Sequence, residues 1–193
     1  RLDPSSPVLS EGWAYDERNT RARRGDEIRL EAADVPNLEL RWSFVFPGEV
    51  ERRAPPIVTE QAVISGATGG LYAIDRETGC QIWRRPLLDQ IRTGLVLGPD
   101  ASGDGRLIYF GTITGVVHAV DFETGRVVWR NAIGAGHRLR AVSRWLIALT
   151  ERFGPGLLNP TMLTGTPKLV DGRLYVPLSS REVADAVISV RPC

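Results

Sequence analysis

Apolar positions in the middle of the chain fall into short runs: PPIV (55–58), QAVIS (61–65), LYAID (71–75), CQIW (80–83), TGLVLG (93–98), RLIYFG (106–111), VHAVD (117–121) and RVVW (126–129). Each is rich in β-branched, aromatic or other strand-forming residues. Each is also bounded by Gly, Pro, Asp or Thr, so the pattern predicts a succession of short strands joined by tight turns. One stretch breaks the pattern. In HRLRAVSRWLIALTERFG (137–154), Leu139, Val142, Trp145, Leu146, Leu149 and Phe153 recur at i+3/i+4 spacing, with Arg138, Arg140 and Arg144 among them. That spacing predicts an amphipathic helix ended by Gly154.

The strands repeat. LYAIDRETGCQIWR (71–84) aligns with VHAVDFETGRVVWR (117–130) at an offset of 46, with identities at Ala73/Ala119, Asp75/Asp121, Glu77/Glu123, Thr78/Thr124, Gly79/Gly125, Trp83/Trp129 and Arg84/Arg130. Upstream, ISGATGG (64–70) and FGTITGV (110–116) align at the same offset. The Asp side chain can accept backbone N–H groups at the start of a turn, and Gly can take positive φ at its end, so each copy reads as a hairpin. Four strands in a period of this size are the unit of a β-propeller blade.

A third unit begins near residue 165 with GTPKLVDGRLYVPLSS, placing Tyr175 over Tyr109, and LELRWSF (38–44) offers Trp42 as the closing strand of another blade. The expected fold is therefore all-β, a partial propeller of four-stranded antiparallel blades with one helical insert. Its expected parts are a lead-in segment and closing strand over 1–44, a blade over 55–85 and a blade over 93–131. An insert with a helix follows over 132–162, and the start of a third blade over 163–193. A propeller closes with roughly four to eight blades, so the chain is expected to be the N-terminal part of a larger protein.

Composition removes several functions. Lys+Arg (24) and Asp+Glu (23) balance, which leaves no basic footprint for nucleic acid. No apolar run approaches the ~18 residues that span a bilayer. Two cysteines are too few for a disulfide scaffold. There is no Gly-x-Ser-x-Gly, no phosphate-cradling glycine loop and no Cys-x-x-Cys-His. DASGDG (100–105) has the spacing of half a calcium loop, but its twelfth position is Gly111, and a polar hairpin is the expected structure. Cys80, at the start of a returning strand, is expected to be a small buried apolar residue. His118 takes the place of Tyr72 as a strand residue, and His137 opens the helical pattern.

The motif Ala-x-Asp-x-x-Thr-Gly-x-x-x-Trp resembles the tryptophan-docking repeat of the pyrroloquinoline quinone (PQQ) dehydrogenases, and non-catalytic propellers carry similar repeats. WAYDERNTRAR (13–23) and IRLEAADVPNLELRWSF (28–44) resemble the segments that precede the first blade in that family. ETGCQIW with IRTGLVLGP (91–99), and LTGTPKLVDGRLYVPLSS (163–180), resemble its polyvinyl-alcohol-dehydrogenase-like branch.

The resemblance implies a periplasmic or secreted quinoprotein alcohol dehydrogenase using PQQ and calcium. It also implies partners in the remaining blades and an electron acceptor such as cytochrome c. Cys193 falls where the family has the first cysteine of a vicinal disulfide against the cofactor; otherwise it is a lone thiol. Innermost strands start near the propeller axis, where ligands sit, and aligning RAPPIV, RTGLVL and TGTPKL puts Arg53, Arg92 and Thr164 in equivalent places. Two guanidinium groups there suit a tricarboxylate ligand; rim charges without a ligand are the other reading. Thr164 stands where methanol-dehydrogenase-like relatives have a Glu. The base and calcium ligands are expected in later blades, so no catalytic residue is expected here. The alternative to the enzyme is a non-catalytic propeller that scaffolds protein contacts.

Overall fold

The structure is a computed structural model that describes residues 1–13, 30–48, 54–100, 102–133, 161–180 and 186–190. The described residues form three antiparallel sheets. Blade 1 has strands β2 (Ile57–Thr59), β3 (Ala62–Ala67), β4 (Gly70–Asp75) and β5 (Gln81–Pro86), with β1 (Val8–Ser10) added along the free edge of β2. Blade 2 has β6 (Val96–Pro99), β7 (Arg106–Gly111), β8 (Val116–Asp121) and β9 (Val127–Ala132) in sequential order. In the third sheet β12 (Arg173–Ser180) pairs with β11 (Lys168–Val170) and β13 (Ala186–Val190), and short β10 (Thr161–Met162) meets its far end. Among the described residues, the one helical element is a 3₁₀ turn at Ala32–Asn37. No described helix is long and apolar enough to cross a membrane. The expected helix over 137–154 lies outside the described residues.

The repeated turns form as the motif dictates. Oδ1 of Asp75 accepts the N–H of Glu77 (3.0 Å) and Thr78 (2.7 Å) and the Thr78 hydroxyl (2.8 Å). These bonds favour the carboxylate, the Thr78 hydroxyl most of all, and hold the pKa of Asp75 below its ordinary value. In the second copy Oδ1 of Asp121 accepts the N–H and the hydroxyl of Thr124. Gly79 and Gly125 close the two turns at φ 73° and 68°, a region glycine enters without a Cβ clash.

Just beyond each turn the ladder slips by one residue, between Ala73 and Ile74 in one blade and between Ala119 and Val120 in the other. The bulge brings Trp83 opposite Ala73 and Trp129 opposite Ala119. A small residue at the alanine position leaves room for the indole to lie across the blade.

Packing joins the blades face to face. Ile57, Ile64, Leu71 and Ala73 of blade 1 share a buried cluster with Leu95, Ile108, Phe110 and Val120 of blade 2. The other face of blade 2, with Val96, Tyr109, Val117 and Ala119, packs on Leu163, Leu174 and Val176 of the third sheet. Alternate residues of β6, β7 and β8 thus serve two different cores, as the period-2 pleat requires. The tryptophans lock these seams. Nε1 of Trp83 donates to the Phe122 carbonyl (3.2 Å), and its ring lies where a side chain on Gly125 would stand. Trp42 repeats the arrangement one blade earlier, donating to the Arg76 carbonyl (2.9 Å) with its ring against Gly79. Trp129 packs on the seam toward the third sheet; its buried Nε1 finds no acceptor among the described residues.

Three expectations need correction. Trp42 docks on blade 1, but residues 38–46 form no strand, because no neighbouring chain among the described residues offers them a ladder. Cys80 is exposed rather than buried: it precedes the first strand residue, where the chain leaves the turn on the solvent side. The uniform offset also fails. Ile64 pairs with Ala73 and Tyr109 with Ala119, so β3 and β7 are related by an offset of 45 (64 to 109) while β4 and β8 keep 46 (73 to 119). The β7–β8 turn is one residue longer than the β3–β4 turn. In consequence Gly66, opposite Leu71, corresponds to Gly111, opposite Val117, and not to Thr112 as the sequence alignment has it.

Candidate functional site

Ile57, Val96 and Lys168 open β2, β6 and β11, and Arg53, Arg92 and Thr164 each stand four positions earlier in the chain. Arg53 lies outside the described residues, as does Cys193. Arg92 is partly exposed, and its Nε donates to Oε1 of Gln90 at 3.2 Å. Thr164 is exposed.

Two glycines, invisible as site features in the sequence, set where these residues stand. A Cβ on Gly66 would come within 2.7 Å of Cγ2 of Ile91, and one on Gly111 within 2.8 Å of Cβ of Leu163. Ile91 (2% exposed) and Leu163 (0%) immediately precede Arg92 and Thr164. At each seam the chain entering a new blade therefore crosses hard against the second strand of the previous blade, at a point that only glycine keeps open. The sequence alignment pairs Gly66 with Thr112; the matched glycines emerge only once the strand register is known.

The two approaches also meet each other. The N–H of Gly94 donates to Oγ1 of Thr166 at 3.2 Å, and an added Cβ on Gly94 would fall 2.3 Å from that oxygen. The guanidinium of Arg92 and the hydroxyl of Thr164 each stand two residues upstream of these partners in the chain. This donor set suits a ligand carrying carboxylates: Arg presents fixed N–H donors to an anion, and Thr adds a neutral hydrogen bond. Neither group carries redox chemistry. Among the described residues, no group of three His, Cys, Asp or Glu side chains converges to hold a metal.

The opposite end of β6 is closed by the N-terminal segment. β1 pairs with β2, the Leu97 N–H donates to Glu11 (3.2 Å), and Arg106 donates to the Ser6 carbonyl (2.7 Å). A cleft of about 600 Å³ lies there, lined by Val8, Leu9, Glu11, Leu97, Asp104 and Arg106 among others. Its lining contains neither Arg92 nor Thr164, and its open mouth between a strap and a turn brings no set of buried polar groups together among the described residues. Beside it, Oδ1 of Asp100 accepts from the N–H and hydroxyl of Ser102 and from the N–H of Gly103, the bonding of a polar turn.

His118 is buried on the blade 1 side of blade 2. Its ring stacks on Phe110 (centroids 5.1 Å apart, planes 5° apart), and Nδ1 is buried without a hydrogen-bond partner among the described residues. Burial lowers its pKa to about 4; Asp89 opposes the shift and Arg130 adds to it.

Residues 2–176 match the PQQ_2 family model, described as outer membrane protein assembly factor BamB. The chain belongs to the PQQ_2 family. Two polyvinylalcohol dehydrogenases are similar to this PQQ_2 chain along nearly all of it. The protein from Sphingopyxis sp. (strain 113P3) is 27% identical over 184 residues, covering 94% of the chain and 24% of the relative. The protein from Pseudomonas sp. is 28% identical over 187 residues, covering 96% of the chain and 25% of the relative. The chain thus spans about a quarter of the length of these relatives. Its fold matches the crystal structure of quinohemoprotein alcohol dehydrogenase from Comamonas testosteroni with a TM-score of 0.69 at 22% identity, over 100% of this chain and 27% of that one. The three sheets are therefore propeller blades of the PQQ_2 type.

Proposed function

We propose that this chain is the N-terminal part of a PQQ-dependent alcohol dehydrogenase that oxidises polyvinyl alcohol or another secondary alcohol. The reading is supported by similarity to two polyvinylalcohol dehydrogenases across almost the whole chain. The observation that carries it is the place of Arg92: a partly exposed residue four positions before β6, held by Gln90 and two residues upstream of the contact that Gly94 makes with Thr166 of the next blade. Bound PQQ would accept the two electrons removed from the alcohol. The residues of this chain would hold its carboxylates, Arg92 and Arg53 by ionic hydrogen bonds and Thr164 by its hydroxyl. Cys193 would contribute to the cofactor's surroundings as half of a vicinal pair. A catalytic base and calcium ligands would come from further blades, cytochrome c would take the electrons, and the assembled protein would work in the periplasm.

The test uses the longer protein that carries this chain. Reconstituted with PQQ and calcium, it should reduce an artificial dye in the presence of a secondary alcohol, and Arg92→Gln should lower PQQ affinity. The chain alone should show no turnover. A second reading, a non-catalytic scaffold, is favoured by the family model's description as an outer membrane assembly factor. No alcohol-dependent reduction and no PQQ binding by the longer protein would decide for the scaffold.

A further inference from the structure

We propose that Gln90 is a positioning residue that aims the Arg92 guanidinium along the blade 2 rim. The inference rests on the reading that Arg92 faces a carboxylate-bearing quinone. Residues 89–92 lie in the linker between β5 of blade 1 and β6 of blade 2, and this linker is fastened at several points. Oδ2 of Asp89 accepts the backbone N–H (3.4 Å) and the hydroxyl of Thr114. The Gln90 carbonyl accepts the Ile113 N–H (3.0 Å), and Ile91 bridges to Thr112. The linker backbone is therefore clamped to the β7–β8 turn.

The Gln90 side chain then works in two directions. Its Nε2 donates to Oγ1 of Thr68 (3.4 Å), in the β3–β4 turn of blade 1. Its Oε1 accepts from Nε of Arg92 (3.2 Å). One amide, on a clamped backbone, thus ties the Arg92 side chain to the turns of two blades. An arginine gripped at Nε has less rotamer freedom to lose when its outer nitrogens meet an anion.

The experiment is a double-mutant cycle in the longer protein, with PQQ titrated into the apoprotein and binding read by protein fluorescence. Arg92→Gln should weaken binding roughly 30-fold through loss of a charge-assisted pair. Gln90→Ala should weaken it about 5-fold in the wild-type background, the scale of one hydrogen bond. In the Arg92→Gln background Gln90→Ala should change nothing, because its effect passes through Arg92. Equal weakening in both backgrounds, or none in either, overturns the positioning role while leaving Arg92 as a ligand. A neutral Arg92→Gln overturns the role of Arg92, and this inference with it. Melting curves of each variant accompany the titration. Should Gln90→Ala destabilise the fold, Thr68→Ala, which releases the far end of the amide, enters the same cycle with the same expected dependence on Arg92.

Discussion

Ile91 of blade 2 occupies the space that a side chain on Gly66 of blade 1 would need: the two would approach to 2.7 Å. Leu163 and Gly111 repeat the relationship at the next seam, at 2.8 Å. The contact fixes the path by which each new blade begins, and with it the position of the residue that follows. Alanine at Gly66 or Gly111 forces a buried aliphatic side chain and its backbone to shift. Each substitution should cost about 1–3 kcal/mol, measured by denaturant unfolding. Gly66→Ala should in addition weaken any ligand held by Arg92. Gly103→Ala strains its own turn, at φ 84°, but has no atom within 4 Å of the added Cβ and should leave that ligand untouched.

Trp83 joins blade 1 to blade 2 through a hydrogen bond to Phe122 and contact with Gly125. Trp83→Ala removes a large partly buried ring and one hydrogen bond. The expected loss is about 3 kcal/mol in the intact propeller, read as a lower denaturant midpoint. Trp83→Phe keeps an aromatic ring but not the donor and should recover most of that loss. A loss below about 1 kcal/mol for the alanine variant would exclude a docking role.

The exposed position of Cys80 gives a direct chemical test. In the folded protein, without denaturant, Cys80 should react with a maleimide within minutes to hours at neutral pH, as an accessible thiol does. Peptide mapping assigns the site, and Cys80→Ser should abolish that labelled peptide. Protection of Cys80 until the protein is unfolded would contradict its placement.

The blades are legible in the sequence because their determinants are local. The spacing from Asp75 to Trp83 contains the turn, the bulge and the docking ring, and its repetition at Asp121–Trp129 reports the same turn and bulge. The common distance of Arg92 and Thr164 from the strands they precede is legible for the same reason. What the sequence hides depends on contacts between distant segments. The pairing of Gly66 with Gly111 requires the one-residue difference between the β3–β4 and β7–β8 turns, which changes register without changing composition. Residues 38–44 have the pattern of a strand, yet a strand also needs a neighbour, and pattern alone does not supply one. Cys80 looks buried by residue type, but its place beside the turn glycine turns it to solvent. Gln90 carries no sequence signal at all, since its importance lies in simultaneous contacts with Thr68 and Arg92.

His118 predicts a pH dependence whose sign follows from its burial. Its pKa is lowered from the ordinary 6.5 to about 4 in the folded protein. Between these values the unfolded chain binds a proton that the folded chain excludes, so stability falls as the solution is acidified. The contribution is complete above pH 6.5, declines between pH 6.5 and 4, and is exhausted below pH 4. Two charged groups bear on the ring: Asp89, from the linker between blades, favours the protonated form, and Arg130, its cross-strand partner on β9, opposes it. Burial outweighs both. From pH 7.5 to pH 5.0 the protein should lose about 2 kcal/mol through this group. His118→Phe retains an aromatic ring to stack on Phe110 but has no titrating nitrogen. The variant should therefore lose about 2 kcal/mol less than the native protein over the same interval, measured by urea unfolding at the two pH values. Equal losses in the two proteins would mean that His118 keeps an ordinary pKa in the folded state and is open to water.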